Sequence, residues 1–339
     1  MTTKRLILLT HFLWVAWLVC SVAPLSYAEP QSQQQSTSRG KMTAQRSFAT
    51  TQHAADALIK AAQDYDVPDL LNIFGPDGED LVSSADPVRD KNNALAFAEK
   101  ARQKNAVIID PAKPARAILV VGNDEWPFPA PIVKRYGRWL FDSKAGRKEI
   151  LNRRIGANEL DAIQVCRGYV EAQREYASEI HDDSGVNQYA QKIISTPGKQ
   201  DGLYWKNADG TPGGPISERV ARAIHEGYSV DRKTAYHGYY FKILKGQGPA
   251  APLGRIDYVI EGIMIGGFAL LAVPAEYGVT GVKSFIVSND GIVYQKDLGP
   301  NSLNIGKSME VYNPDKTWRR TDDEWPGPDA SNIAIEKRP

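Results

Sequence analysis

The chain has 339 residues, 42% of them hydrophobic, and its 41 lysines and arginines nearly balance its 40 aspartates and glutamates. Such a chain is long enough for one or two hydrophobic cores, and its near-neutral total charge gives no electrostatic reason to bind nucleic acid or an anionic membrane. We therefore expect a globular protein that does not have nucleic acid as a partner.

Residues 1–28 have the pattern of a secretory signal peptide. Two basic residues precede an apolar run, and the small residues Ser26 and Ala28 stand where a signal peptidase cuts. The pattern predicts cleavage after Ala28, a periplasmic or secreted location, and no stable membrane span after cleavage. An uncleaved anchor or a lipoprotein attached through Cys20 is the alternative, but the bulky residues before Cys20 disfavour lipid attachment.

The sequence pattern of residues 29–150 predicts a linker followed by an α+β unit. Residues 29–46 are rich in glutamine and serine, which is typical of a disordered linker. Over 47–150, helical spacing comes first and strand-like apolar runs follow. This order, together with the motif GRWLFD at 137–142, resembles the cystatin-like fold of the nuclear-transport-factor-2 superfamily, in which a bent sheet cradles a helix.

Residues 151–312 predict a second unit, a helix packed on an antiparallel meander. Apolar residues recur at helical spacing over 157–177, and short apolar runs alternate with turn residues over 236–299. Asp290 and Gly291 predict a primed hairpin turn, since this pair readily adopts positive φ angles. The predicted strands lie near 239–244, 256–260, 266–273, 282–288 and 291–296. This arrangement resembles the globular domain of pilins and pseudopilins.

The fold class predicted for the whole chain is α+β, with two domains and a C-terminal tail at 313–339. Blocks such as DEWPFPAP, STPGKQDGLYW and YHGYYFKILKGQGPAAP, spread between Phe48 and Trp318, are similar to the bacterial family of unknown function DUF2950. That resemblance implies no activity, no cofactor and no catalytic residue.

The segment DEWPFP is the strongest candidate for a binding site. Its two prolines keep the chain extended, so Trp126 and Phe128 can form an aromatic platform flanked by Asp124 and Glu125. An aromatic residue between prolines more often closes a sheet edge or fills the seam between two domains than binds a ligand. We nevertheless predict these four residues as ligand-binding candidates near the interdomain seam.

Known catalytic patterns are missing from the sequence. It has no Gly-x-Ser-x-Gly elbow, no phosphate-binding loop and no His-Glu-x-x-His motif, so we predict no catalytic residue, metal or cofactor. His237 lies beside a glycine and three tyrosines and is a further ligand-binding candidate. We favour a non-catalytic envelope module that binds an unknown protein or small molecule. The alternative is a periplasmic hydrolase that uses Asp124, Glu125 and His237.

Cys166 is the one cysteine that remains after the predicted cleavage, so no intramolecular disulfide is expected. It lies on the apolar face of the predicted helix 157–177, together with Ile163 and Val170. This placement predicts a buried, inert thiol and not a nucleophile.

Overall fold

The structure, a computed structural model, describes residues 44–84, 86–181, 184–218, 220–221 and 235–321. These described residues group into one compact unit, and their buried hydrophobic side chains form two clusters within it. The predicted signal peptide and nearly all of the predicted linker lie outside the described residues.

The first half of the described chain consists of helices followed by an antiparallel sheet. Its helices are α1 (Thr51–Asp64), α2 (Val67–Phe74), a 3-10 turn (Pro76–Gly78), α3 (Glu79–Val82) and α4 (Pro87–Gln103). Its strands are β1 (Asn105–Ile109), β2 (Arg116–Val121), β3 (Trp126–Pro127), β4 (Ile132–Arg135) and β5 (Arg138–Phe141). The strand order is β1-β2-β4-β5, and β3 pairs with one end of β2.

Polar side chains start these helices where the sequence provides them. Thr50, Asp66 and Asp86 each accept a hydrogen bond from the backbone N–H three residues later, which satisfies a donor that a helix end leaves free. The apolar faces of α1 and α2 then pack on the sheet and enclose the first hydrophobic cluster, which includes Leu58 and Phe141. The predicted α+β class is confirmed.

Helix α5 (Ser143–Tyr176) has 34 residues, so it is about 51 Å long. Its first turns contact residues of the first cluster, and its far half belongs to the second. Asp142 caps it by accepting a hydrogen bond from the Ala145 N–H. Near its start, the Ser143 hydroxyl donates to the Phe74 carbonyl at 2.6 Å. Gly146 lies so close to Ala130 that a Cβ there would come within 2.8 Å of the alanine methyl.

The far half of α5, from Ala162 to Tyr176, supplies buried residues to the second cluster. The sequence predicted this helix to start at 157, but it starts at Ser143. The predicted domain boundary between 150 and 151 therefore falls inside one continuous helix, and the predicted two-domain arrangement is not confirmed.

The second half of the described chain forms the other sheet. It contains β6 (Trp205–Lys206), β7 (Pro212–Gly213), β8 (Tyr239–Leu244), β9 (Gly246–Gln247), β10 (Ile256–Asp257), β11 (Val259–Ile260), β12 (Ile263–Met264), β13 (Ala269–Pro274), β14 (Lys283–Ser288), β15 (Tyr294–Asp297), α6 (Ser302–Ser308) and β16 (Arg319–Arg320). The main sheet has the order β16-β15-β14-β13-β8, and every pair in it is antiparallel. Helix α5 packs on β13 and β14.

Three details of this half differ from the sequence predictions. The predicted strand at 256–260 is divided between two short strand pairs outside the main sheet. In the turn at 288–291 only Gly291 has a positive φ, so this is not the predicted primed turn. The first part of the predicted tail is structured, because Trp318 is buried and Arg319–Arg320 pairs with β15.

Cys166 is fully buried, as predicted, and the desolvation that accompanies burial raises the pKa of its thiol to about 12. It is therefore a neutral core side chain at physiological pH. None of the helices in the described ranges is both long enough and apolar enough to cross a membrane.

Candidate functional site

The middle of α5 is where the two halves of the described chain meet through polar and aromatic side chains. Arg153, Asn158, Glu159 and Asp161 of α5 each contact a residue from one of the two sheets or their connections. We call these four residues, together with Trp126 and His237, the α5 seam. Arg153 and Asp161 are eight residues apart, so they lie about 12 Å apart along the helix axis.

Trp126 forms the aromatic end of the α5 seam. It lies in β3 next to Glu125, whose φ of 49° turns the chain, and 37% of its surface is exposed. The guanidinium carbon of Arg153 lies 5.2 Å from the centre of the Trp126 ring, a cation–π arrangement. One edge of the indole ring also meets Phe128, with 6.3 Å between ring centres.

The Arg153 guanidinium uses little of its hydrogen-bonding capacity. Its Nε donates to Glu149 at 2.8 Å. Its Nη1 is closed off from solvent and has no acceptor among the described residues. A guanidinium carries five N–H donors and the Arg153 side chain is 33% exposed, so donors other than Nη1 are available to an anionic group that reaches the ring of Trp126.

Phe128 has a different environment from Trp126. It is half-buried, and its ring lies within about 6 Å, centre to centre, of the rings of Phe74, Phe97 and Phe141 in the first cluster. Of the two predicted platform residues, Phe128 therefore anchors the segment in the first cluster, while Trp126 leaves one ring face exposed to solvent.

Asp124 and Glu125 are exposed and paired with lysines. Asp124 accepts from Lys100 at 2.8 Å, and Glu125 accepts from Lys104 at 2.6 Å. These hydrogen bonds lower the pKa of each carboxyl below its ordinary value, so both remain ionised at neutral pH. Neither carboxylate is among the contacts of His237.

His237 pairs with a carboxylate that the sequence analysis did not single out. Its Nδ1 lies 2.5 Å from Oδ2 of Asp161, and its Nε2 has no partner among the described residues. His237 has a φ of 47° and shares a tight turn with Gly238, while the ring of Tyr236 meets the imidazole edge-on at 4.2 Å. Asp161 looked like one more polar residue of an amphipathic helix, and only the fold brings it to His237.

Asn158 and Glu159 fix the connection between β13 and β14 against α5. The Asn158 amide donates to the Thr280 carbonyl at 2.8 Å. One Glu159 carboxylate oxygen accepts from the backbone N–H groups of Val282 and Lys283, both at 2.9 Å. The second half of the α5 seam is therefore held rigidly by backbone hydrogen bonds as well as by packing.

The α5 seam does not resemble a metal centre. Within the part of the chain that the structure describes, no three histidine, cysteine, aspartate or glutamate residues cluster closely enough to hold a metal ion. The chemistry available at the seam is an aromatic face, a guanidinium and a histidine–carboxylate pair.

These features define an α+β protein in which half-exposed polar residues of a long helix meet aromatic residues from the two sheets and their connections. The chain belongs to the DUF2950 family, described as a protein of unknown function, whose sequence model matches residues 45–321. No curated protein and no solved structure matches the chain. The resemblances to cystatin-like and pilin-like folds are therefore not confirmed.

Proposed function

We propose that this protein is a non-catalytic binding or scaffold module of the cell envelope, and that it holds a protein or small-molecule ligand at the α5 seam. The observation that carries the proposal is the stacked pair of Trp126 and Arg153. An exposed indole face beside an underused guanidinium suits a ligand that has a flat apolar part and an anionic group.

The contribution of the Trp126–Arg153 contact to the stability of the protein does not by itself explain why the two side chains are paired. A cation–π contact at a partly exposed site contributes about 0.5–1 kcal/mol, and burying the whole indole ring would contribute more than that. Trp126 nevertheless keeps 37% of its surface exposed, although Phe128, two residues away, packs among buried rings. This contrast supports a role for Trp126 in contacting something outside the chain.

The position of the pair also supports binding. Ligand sites are frequent where two packed regions meet, because residues from both can converge on one ligand. Here Arg153 on α5 and Trp126 on β3 already contact each other, so little ordering of these side chains is needed when a ligand binds.

The test is native mass spectrometry of protein isolated from the periplasmic fraction without unfolding. We expect the wild type to carry a bound species, and Arg153→Met to bind it about 10- to 100-fold more weakly, as for the loss of a hydrogen bond to a charged group. The matched control is Lys296→Met, which removes the cation from the ring of Trp318 at 5.8 Å. A wild type without ligand, or equal occupancy in Arg153→Met, would contradict the proposal.

The mass of the protein in the same measurement also shows whether residues 1–28 are removed, as expected for an exported protein. An intact mass that begins at Glu29 is expected if residues 1–28 are a cleaved signal peptide. A mass that retains those residues, or a lipid attached to Cys20, would contradict export by this route.

The hydrolase alternative keeps one supporting observation, the pairing of His237 with Asp161. A carboxylate on Nδ1 orients the imidazole so that Nε2 can take a proton from water. Asp124 and Glu125 do not contribute to this pair, because each is bound to a lysine. In a catalytic role, Asp161 would take their place as the acidic partner.

His237→Asn distinguishes the two functions, because asparagine tolerates the positive φ at this position and keeps the turn with Gly238. With nitrophenyl acetate and a nitrophenyl phosphate diester as probes, we expect equal background rates for wild type and variant. A loss on the order of a hundredfold in the variant would instead establish general-base catalysis.

A further inference from the structure

One end of the first sheet combines exposed apolar side chains with an excess of positive charge. Strands β2 and β4 are antiparallel, with Arg116 opposite Val133, so the start of β2 lies beside the end of β4. The β1–β2 turn and the β4–β5 turn therefore project from the same end of the sheet. A hydrogen bond from the Lys134 N–H to the Ala115 carbonyl joins the two turns.

The apolar groups at this end are unusually exposed. Tyr136, at the tip of the β4–β5 turn, is fully exposed, and Ile108 and Ile109, at the end of edge strand β1, are each about half exposed. Tyr136 and Gly137 both have positive φ and connect paired residues Arg135 and Arg138, as in a two-residue primed turn. Such turns favour asparagine, so the aromatic ring at the tip is not required by the backbone.

The charged groups around these side chains are mostly cations. Five basic residues lie at this end, namely Lys113, Arg116, Lys134, Arg135 and Arg138. Two of them are neutralised, because Arg116 pairs with Asp110 and Arg135 pairs with Asp142.

The other three basic residues have no carboxylate partner among the described residues. Lys113 makes no side-chain hydrogen bond or ion pair with a described residue, Lys134 lies over the ring of Trp139, and Arg138 donates to the Ser47 carbonyl. The end of the sheet therefore has a local excess of three positive charges, although the whole chain is nearly neutral.

We propose that this end of the first sheet, the basic end, docks on the surface of a bilayer that contains anionic lipid. Tyrosine and isoleucine side chains enter the headgroup region, where an amphipathic ring is favoured, while the three unpaired cations remain level with the lipid phosphates. A soluble polyanion would complement the cations but would leave Ile109 and Tyr136 in water. A bilayer accounts for both the exposed apolar side chains and the cations.

The test compares binding to vesicles of phosphatidylcholine with and without phosphatidylglycerol, by co-sedimentation at low and high salt. All proteins carry the same N-terminus, so its apolar segment contributes equally to each. We expect binding that depends on phosphatidylglycerol and weakens with salt. Replacing Lys113, Lys134 and Arg138 by glutamine should weaken this component on the order of a hundredfold, or about fivefold per cation.

Tyr136→Asn separates the function of the ring from its effect on folding. Asparagine is preferred in the turn, so the melting temperature should stay the same or rise while vesicle binding falls. The control is a triple glutamine variant of the exposed Lys199, Lys245 and Lys316, which removes the same charge elsewhere and should bind like wild type.

Three results would overturn the proposal. They are a wild type that does not distinguish the two vesicles, a control variant that loses as much binding as the variant of the basic end, and a Tyr136→Asn variant that binds vesicles as well as wild type. The last result would indicate recognition of negative charge alone, as by a soluble polyanion.

Discussion

Replacing Gly156 by proline is expected to lower the free energy of unfolding by about 3 kcal/mol or more. Gly156 lies inside α5, between Arg153 and Asp161. Proline there removes the hydrogen bond to the carbonyl four residues earlier and pushes its ring against that carbonyl. A Cβ at this position meets no atom within 4 Å, so the loss would come from the backbone and not from packing. Urea unfolding measures it.

The same position supplies its own control. Gly156→Ala adds only a methyl group to an open site in a helix interior, so it should stabilise the protein by about 0.5–1 kcal/mol. The proline variant should also lose ligand binding at the α5 seam, because a kink separates Arg153 from Asp161. If proline were tolerated, the two hydrophobic clusters would behave as independent domains with a flexible joint, which contradicts a continuous α5.

Replacing Gln173 by methionine should cost about 3 kcal/mol although the two side chains are similar in size. Gln173 is fully buried in α5. Its amide nitrogen donates to the Ala190 carbonyl at 2.7 Å and to the Tyr169 hydroxyl, while its amide oxygen accepts from the Ala190 N–H at 2.8 Å. Methionine would leave a buried backbone donor and acceptor without partners.

Gln164→Met is the matched control for this prediction. Gln164 lies on the exposed side of the same helix, so its replacement should change the free energy of unfolding by less than about 0.5 kcal/mol. Equal effects of the two substitutions would contradict the hydrogen bonds from Gln173 to the segment around Ala190. Thermal and urea unfolding of both variants provide the comparison.

Local patterns in the sequence were enough to predict the α+β class, the antiparallel sheet after residue 236 and the buried face of α5 around Cys166. Each depends on apolar periodicity, which follows directly from burial. The start of α5 was missed because five of the eleven residues 144–154 are basic and its apolar residues do not recur at helical spacing. Only the cap at Asp142 marks the beginning of the helix.

Turn chemistry was predicted less well. Asp290-Gly291 has the composition of a primed turn, yet only its glycine has a positive φ. Tyr136-Gly137 and His237-Gly238 have positive φ at both residues, although neither tyrosine nor histidine is preferred there. Tertiary contacts, such as the one between His237 and Asp161, can hold a residue in a conformation that its intrinsic preference disfavours.

Two residues of the α5 seam, Trp126 and His237, were among the candidates named from the sequence, and the four on α5 were not. Trp126 and Phe128 were chosen because prolines flank them, and this pattern does not distinguish a ring that anchors the segment from a ring that presents a surface. The lysine partners of Asp124 and Glu125, and the placement of Arg153 on Trp126, depend on contacts between residues more than twenty positions apart. No local pattern contains them.

The most direct test of binding at the α5 seam is a crystal structure of protein isolated from the envelope fraction with its ligand retained, as judged by native mass. The account predicts ligand density against the exposed face of Trp126, with an anionic group within hydrogen-bond distance of the Arg153 guanidinium. Ligand density elsewhere on the protein, with this face of Trp126 empty, would contradict it.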